Sequence, residues 1–150
     1  MKKILLITII GLAFCQSIFA KDLPVRQQDV SPQQLQKQNK EITVLVAEQL
    51  SKDLPKDIDK YTKFTSIKAN DATLIYTFEI NTGSKSDKAV MKEDKSRMEE
   101  AVINGVCRTS KRFMDAQITI KYIYKSTKSK AKLFQFDITQ NKCFKRFGSY

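Results

Sequence analysis

Hydrophobic and polar residues alternate most cleanly near the end of the chain. Gln117-Ile118-Thr119-Ile120-Lys121-Tyr122-Ile123-Tyr124-Lys125 and Leu133-Phe134-Gln135-Phe136-Asp137-Ile138-Thr139 each change side at every residue. A polar Ser126–Lys130 stretch joins them. Period two with aromatic and β-branched residues is the pattern of a half-buried strand, so the pair predicts a β-hairpin. Ala72–Ile80 repeats the pattern, with Leu74, Tyr76, Phe78 and Ile80 on one side and Thr73, Ile75, Thr77 and Glu79 on the other. Tyr61–Lys68 adds a fourth strand if it pairs, and Asn70-Asp71 interrupts or turns the element.

Two segments change to a helical period. From Gln33 to Leu54, the residues Leu35, Ile42, Leu45, Val46, Leu50 and Leu54 recur at threes, fours and a seven, which predicts a core-facing stripe. Ser31-Pro32 supplies a capping hydroxyl and then a proline at the first helical position, where its missing N–H costs nothing. Pro55 is read as the stop. A second helix is predicted over Lys88–Cys107, with Met91, Met98, Ala101, Val102 and Val106 on its apolar face. Gly105 bends it, or the helix stops and restarts through Arg108–Met114. An isolated hairpin is marginal in water, and these helices are its cover. The fold class expected is α+β: a small antiparallel sheet of three or four strands packed on two amphipathic helices, in the order α-β-α-β-β, with one disulfide.

The first twenty residues stand apart. Met1-Lys2-Lys3 is basic, Ile4–Phe14 is an apolar run, and Gln16-Ser17-Ile18-Phe19-Ala20 ends in a small residue before Lys21-Asp22. That is the layout of a signal peptide cut after Ala20, although Ile18 is large for its position before the cut. The run is short for a membrane span. Leu12-Ala13-Phe14-Cys15 resembles a lipoprotein box, except that Phe14 stands where a small residue is usual. The division expected is therefore 1–20 signal peptide, 21–32 polar leader, and 33–150 a single domain. Once Cys15 has left, Cys107 and Cys143 remain, 36 positions apart. An even pair in an oxidising compartment reads as a disulfide.

The formal charge of +11 falls to about +9 without Lys2 and Lys3. For an exported chain this points to acidic partners: phospholipid head groups, surface polymers or an acidic protein. Generic lysine richness is the plain alternative, because the lysines are scattered. The candidate basic docking surface gathers Arg108, Lys111, Arg112, Lys125, Lys128, Lys130, Lys132, Lys142, Lys145 and Arg146 around the hairpin turn and the cysteine pair.

The chain contains no histidine. That removes Ser-His-Asp and Cys-His nucleophiles, histidine metal sites and the usual general base near neutral pH. Carboxylate pairs remain for acid–base work: Glu93 with Asp94, Glu99 with Glu100, and Asp137 near Glu79. The first four lie on the exposed side of the second helix, and the last two face solvent. Four glycines, at 11, 83, 105 and 148, write no phosphate loop. No catalytic residue, metal ligand or cofactor is assigned. Lys121–Lys125 and Lys142–Phe147 interleave bases with aromatics, but Tyr122 and Tyr124 share a face with Ile118 and Ile120, so a core role is preferred to nucleic-acid stacking.

The reading is a non-enzymatic interaction protein of the periplasm or bacterial envelope, an accessory or chaperone component of a secretion or surface apparatus. Its expected partner is another envelope protein or an acidic surface. A homodimer is open and no specific nucleic acid is expected. The alternatives are a secreted effector or enzyme inhibitor with an acidic target, and a small cell-wall-active enzyme using carboxylates.

Overall fold

The computed structural model describes residues 31–148. The signal peptide, Cys15 and nearly all of the polar leader lie outside the described residues. Helix α1 spans Pro32–Ser51. The Ser31 hydroxyl accepts from the Gln34 N–H, and the Gln34 side chain accepts from the Ser31 N–H, which closes a capping box. Strands β1 (Lys56–Asp57), β2 (Thr62–Asn70) and β3 (Thr73–Ile80) follow, then α2 (Asp87–Thr109), α3 (Lys111–Asp115), β4 (Thr119–Ser126), β5 (Lys132–Ile138) and α4 (Gln140–Phe147).

The five strands form one sheet in sequence order. All neighbours are antiparallel except β3 and β4, which are parallel. The expectation of a wholly antiparallel sheet of three or four strands under two helices is corrected here. Parallel neighbours require a crossover, and α2 with α3 carries the chain back to the end of the sheet where β3 began. Asp71, at φ 48°, sits in the tight β2–β3 turn. The charged connection after α1 holds the short edge strand β1, and the basic C-terminal segment is the helix α4, capped by Thr139.

All four helices lie on one face of the sheet. That face carries Ile67, Leu74, Phe78, Ile120, Tyr124, Phe134, Phe136 and Ile138. Helix α2 sets Val90, Val102, Val106 and Cys107 against β4 and β5, and Met114 of α3 and Cys143 of α4 complete this larger core. Cys107 and Cys143 form the disulfide, with Cα atoms 5.4 Å apart, joining α2 to α4. The second helix runs unbroken through Gly105, and the chain then restarts at Lys111. Met91, expected on the apolar face, is exposed, and Val90 takes the buried position.

The largest departure from expectation is the rotation of α1. The stripe of Leu35, Ile42, Leu45, Val46, Leu50 and Leu54 does not face the core as a set. Leu45 is 65% exposed, and Ile42 and Leu50 are each 40% exposed. The buried side is Asn39, Thr43 and Ala47. Asn39 Nδ2 donates to the Ala116 carbonyl at 2.6 Å, and Thr43 Oγ1 donates to the Asp71 carbonyl at 2.6 Å. Asn39 and Thr43 are themselves buried, and a polar side chain left unpaired there would cost about 1–3 kcal/mol. Satisfying both of them accompanies the exposure of part of the apolar stripe, with Ala47 against Ile67, Leu74 and Ile118.

Candidate functional site

Beyond the α1 contact, the helix-bearing face of the sheet is not completely covered by the described residues. Phe64 of β2, Tyr76 and Phe78 of β3, and Tyr122 and Tyr124 of β4 lie side by side in register. Their rings form a continuous floor, with centroids 4.9 Å apart for Phe64–Phe78, 5.1 Å for Tyr76–Tyr122, Phe78–Tyr122 and Phe78–Tyr124, and 6.2 Å for Tyr122–Tyr124. Such offset and edge-on rings hold one another rigidly. One wall is α2, through Met98, Ala101, Val102, Gly105, Val106 and Thr109. Ile58, Asp59 and Thr62 close the opposite side. The open cleft holds about 570 Å³, within the usual size for binding sites.

Ala101, Gly105 and Thr109 recur at every fourth position, so one flank of α2 presents small exposed side chains to the cleft. A Cβ built on Gly105 meets nothing within 4 Å. The floor contains three tyrosines, and none of their hydroxyls has a hydrogen-bond partner among the described residues. No tyrosine hydroxyl is a fully enclosed unpaired atom, so each reaches the open cleft, even on Tyr124, which is only 7% exposed. The cleft is therefore an apolar trough with polar points on its floor.

Burial makes the charged phenolate costly and pushes Tyr76 up to about 12, with a smaller contribution from Tyr122. Burial also raises Tyr122 and Tyr124. A raised folded-state value means that neutral tyrosine stabilises the fold below the unfolded value of ~10 and that this contribution is lost as pH rises through the folded value. Tyr76 is expected to stay un-ionised near pH 10 and to ionise, with loss of structure, around pH 12, and Tyr122 and Tyr124 are likewise expected to resist ionisation at pH 10. Ultraviolet titration of tyrosinate alongside circular dichroism checks this. Ionisation of all the tyrosines near pH 10 with the fold intact would contradict it.

The sequence-predicted sites are dispersed. Lys142 pairs with Glu99 at 2.7 Å and Arg146 with Glu100, so α4's charges are answered by α2. Lys130 meets Glu79 at 3.0 Å and Lys111 meets Asp115 at 3.2 Å. Lys128 donates to the Gly83 carbonyl, Lys132 donates to Gln135, and Arg108 lies over the Phe147 ring. Arg112 and Lys145 are exposed and Lys125 is half-buried. The disulfide does set Arg108 beside α4, but carboxylates are interleaved with the bases around it. The carboxylate candidates are likewise ion-paired: Glu93 with Lys85, Asp94 with Arg97, and Asp137 with Lys121. Burial alone would raise Asp137, but the Gln135 and Lys121 hydrogen bonds, with the Lys121 and Lys142 charges, hold its carboxyl below the usual range. No cluster of three or more metal-ligating side chains occurs among the described residues.

Residues 36–134 match the family described as a domain of unknown function, DUF8479. The chain belongs to that family. No curated protein sequence matches it. Among solved structures, the chain is similar to a Pseudomonas aeruginosa protein named as secreted, at a TM-score of 0.65 and 11% identity, over 73% of this chain and 96% of that one. It is also similar to the pilotin EpsS of the Vibrio vulnificus type 2 secretion system, at 0.60 and 14%, over 74% and 96%. A third likeness is to the type II secretion system pilotin AspS of Vibrio cholerae, at 0.56 and 13%, over 74% and 97%. At these identities the likeness is one of fold.

The core placement expected for these aromatics holds for Phe78 and Tyr124, which are buried, while Phe64, Tyr76 and Tyr122 are half-buried along the cleft. The signal for a cleft was quantity: five rings on alternate positions of three strands, three of them tyrosines with a polar tip.

Proposed function

We propose that this protein is a non-enzymatic accessory component of a bacterial secretion apparatus, acting in the periplasm or envelope by holding an apolar segment of another apparatus protein in the aromatic cleft. One observation carries the reading: a preformed trough with a rigid aromatic floor and a wall of small side chains, left open by the protein's own helices. Aromatic anchors in a groove of this size favour an amphipathic protein segment, because large apolar side chains fill the trough while the rest stays wet. The fold shared with two type II secretion pilotins supports the assignment to such an apparatus. The signal-peptide layout supports export.

The test is direct binding. The oxidised protein is titrated by calorimetry with each purified envelope component of the source organism's type II secretion apparatus. The reading expects one component to bind at ~0.15 M salt with a negative heat-capacity change, the mark of apolar burial. Binding to none, or binding abolished by salt alone, would overturn it.

A further inference from the structure

The sheet has a second face, and no helix among the described residues packs on it. Its positions follow from the register. One row runs Lys68–Ile75–Lys121–Asp137, the next Ser66–Thr77–Ile123–Gln135, and the third Lys63–Glu79–Lys125–Lys132. Five lysines therefore stand on this face with two carboxylates. Lys121 is held by Asp137 at 3.1 Å, and Glu79 is taken by Lys130 from the hairpin turn at 3.0 Å. Lys63 reaches Asp57 at the β1 edge. Lys68 and Lys125 have no ion-pair partner among the described residues, and Lys132 has only an amide. The surplus positive charge is spread around the perimeter. The centre is low and mildly apolar: Thr77, Ile75 and Ile123, all half-buried.

We infer that this bare face lies against the anionic surface of a lipid bilayer. Charge complementarity selects the occupant. A ring of lysines around short β-branched residues can press its apolar centre toward a flat surface while the long stems carry their ammonium groups to head-group phosphates. The five lysines stand on one face of four neighbouring strands, so they can meet a single surface together. The placement also orients the molecule. The cleft opens on the opposite side of the sheet, so a membrane-lying protein would hold its trough away from the lipid. The inference stands on the sheet register and does not need the cleft reading.

The experiment is flotation of the exported protein, purified from the periplasm of an expressing host, with phosphatidylcholine vesicles containing a minority of phosphatidylglycerol, at ~0.05 and ~0.15 M salt. The wild type is expected to float with the anionic vesicles and not with pure phosphatidylcholine. Lys68→Glu/Lys125→Glu is expected to lower partitioning by about tenfold or more. Lys37→Glu/Lys92→Glu, which changes net charge equally on the helix side, is expected to leave it within about twofold. Circular dichroism of both variants should match the wild type, since all four side chains reach solvent. Equal losses in the two variants would overturn the inference in favour of net charge alone. So would no flotation at either salt, or soluble polyglutamate binding as tightly with the same sensitivity to Lys68 and Lys125.

Discussion

Replacing Cys107 and Cys143 together by alanine is expected to lower the free energy of unfolding by about 3–4 kcal/mol. The bond closes a loop of 36 residues, and a link of that span removes roughly this much conformational freedom from the unfolded chain. Its position adds a structural consequence. Helix α4 has only eight residues and buries one of them, Cys143. Its other ties to α2 include the surface pairs Lys142–Glu99 and Arg146–Glu100, each worth no more than about 1 kcal/mol, the Arg146–Asn104 hydrogen bond and Arg108 over the Phe147 ring. Without the bond, α4 is expected to detach before the sheet melts. Urea unfolding should show a midpoint lowered by roughly 2–3 M. Hydrogen exchange should show protection lost first in 140–147. The serine pair should be worse than the alanine pair, because both positions are almost fully buried and a hydroxyl there lacks a partner. A midpoint unchanged by either pair would mean that the α2–α4 contact holds without the link.

The second large effect is on binding. Gly105→Trp is expected to weaken capture of an apparatus component by about 30-fold or more, equivalent to ~2 kcal/mol or above for a hot-spot position. Gly105 lies near the C-terminal end of α2, still within the helix, on the cleft wall with open space beyond it. An indole there projects into the trough and competes with the occupant. Stability should hold or rise slightly, since any residue other than proline improves on glycine inside a helix. Gly105→Ala is the control: it should raise stability by about 1 kcal/mol and leave binding intact, because one methyl barely narrows the trough. Loss of binding in both variants would indicate that the partner needs the backbone of Gly105 itself. Full binding by Gly105→Trp would place the partner elsewhere.

The strands and caps were legible because their signals are local. Alternation in 72–80, 117–125 and 133–139 gave β3, β4 and β5 to within two residues, and Ser31-Pro32 gave the start of α1. Cysteine parity gave the bond. The parallel β3–β4 pair was not legible, since nothing within either strand states which neighbour the crossover delivers. The facing of α1 was not legible either. It is set by Asn39 and Thr43, whose carbonyl partners lie 77 and 28 residues away. A hydrophobic stripe predicts burial only where no long-range polar demand competes with it. The basic docking cluster was read from lysines close in sequence, whereas the carboxylates that answer Lys142 and Arg146 lie more than 40 residues earlier on α2.

The most direct test of the cleft as a partner site is photocrosslinking in the source organism. A benzophenone side chain replaces Ala101 on the cleft wall in one strain and Lys92, elsewhere on α2, in another. The account predicts an adduct with a component of the type II secretion apparatus from position 101 and none from position 92. The same adduct from both positions, or none from position 101 in a strain that makes the protein normally, would contradict it.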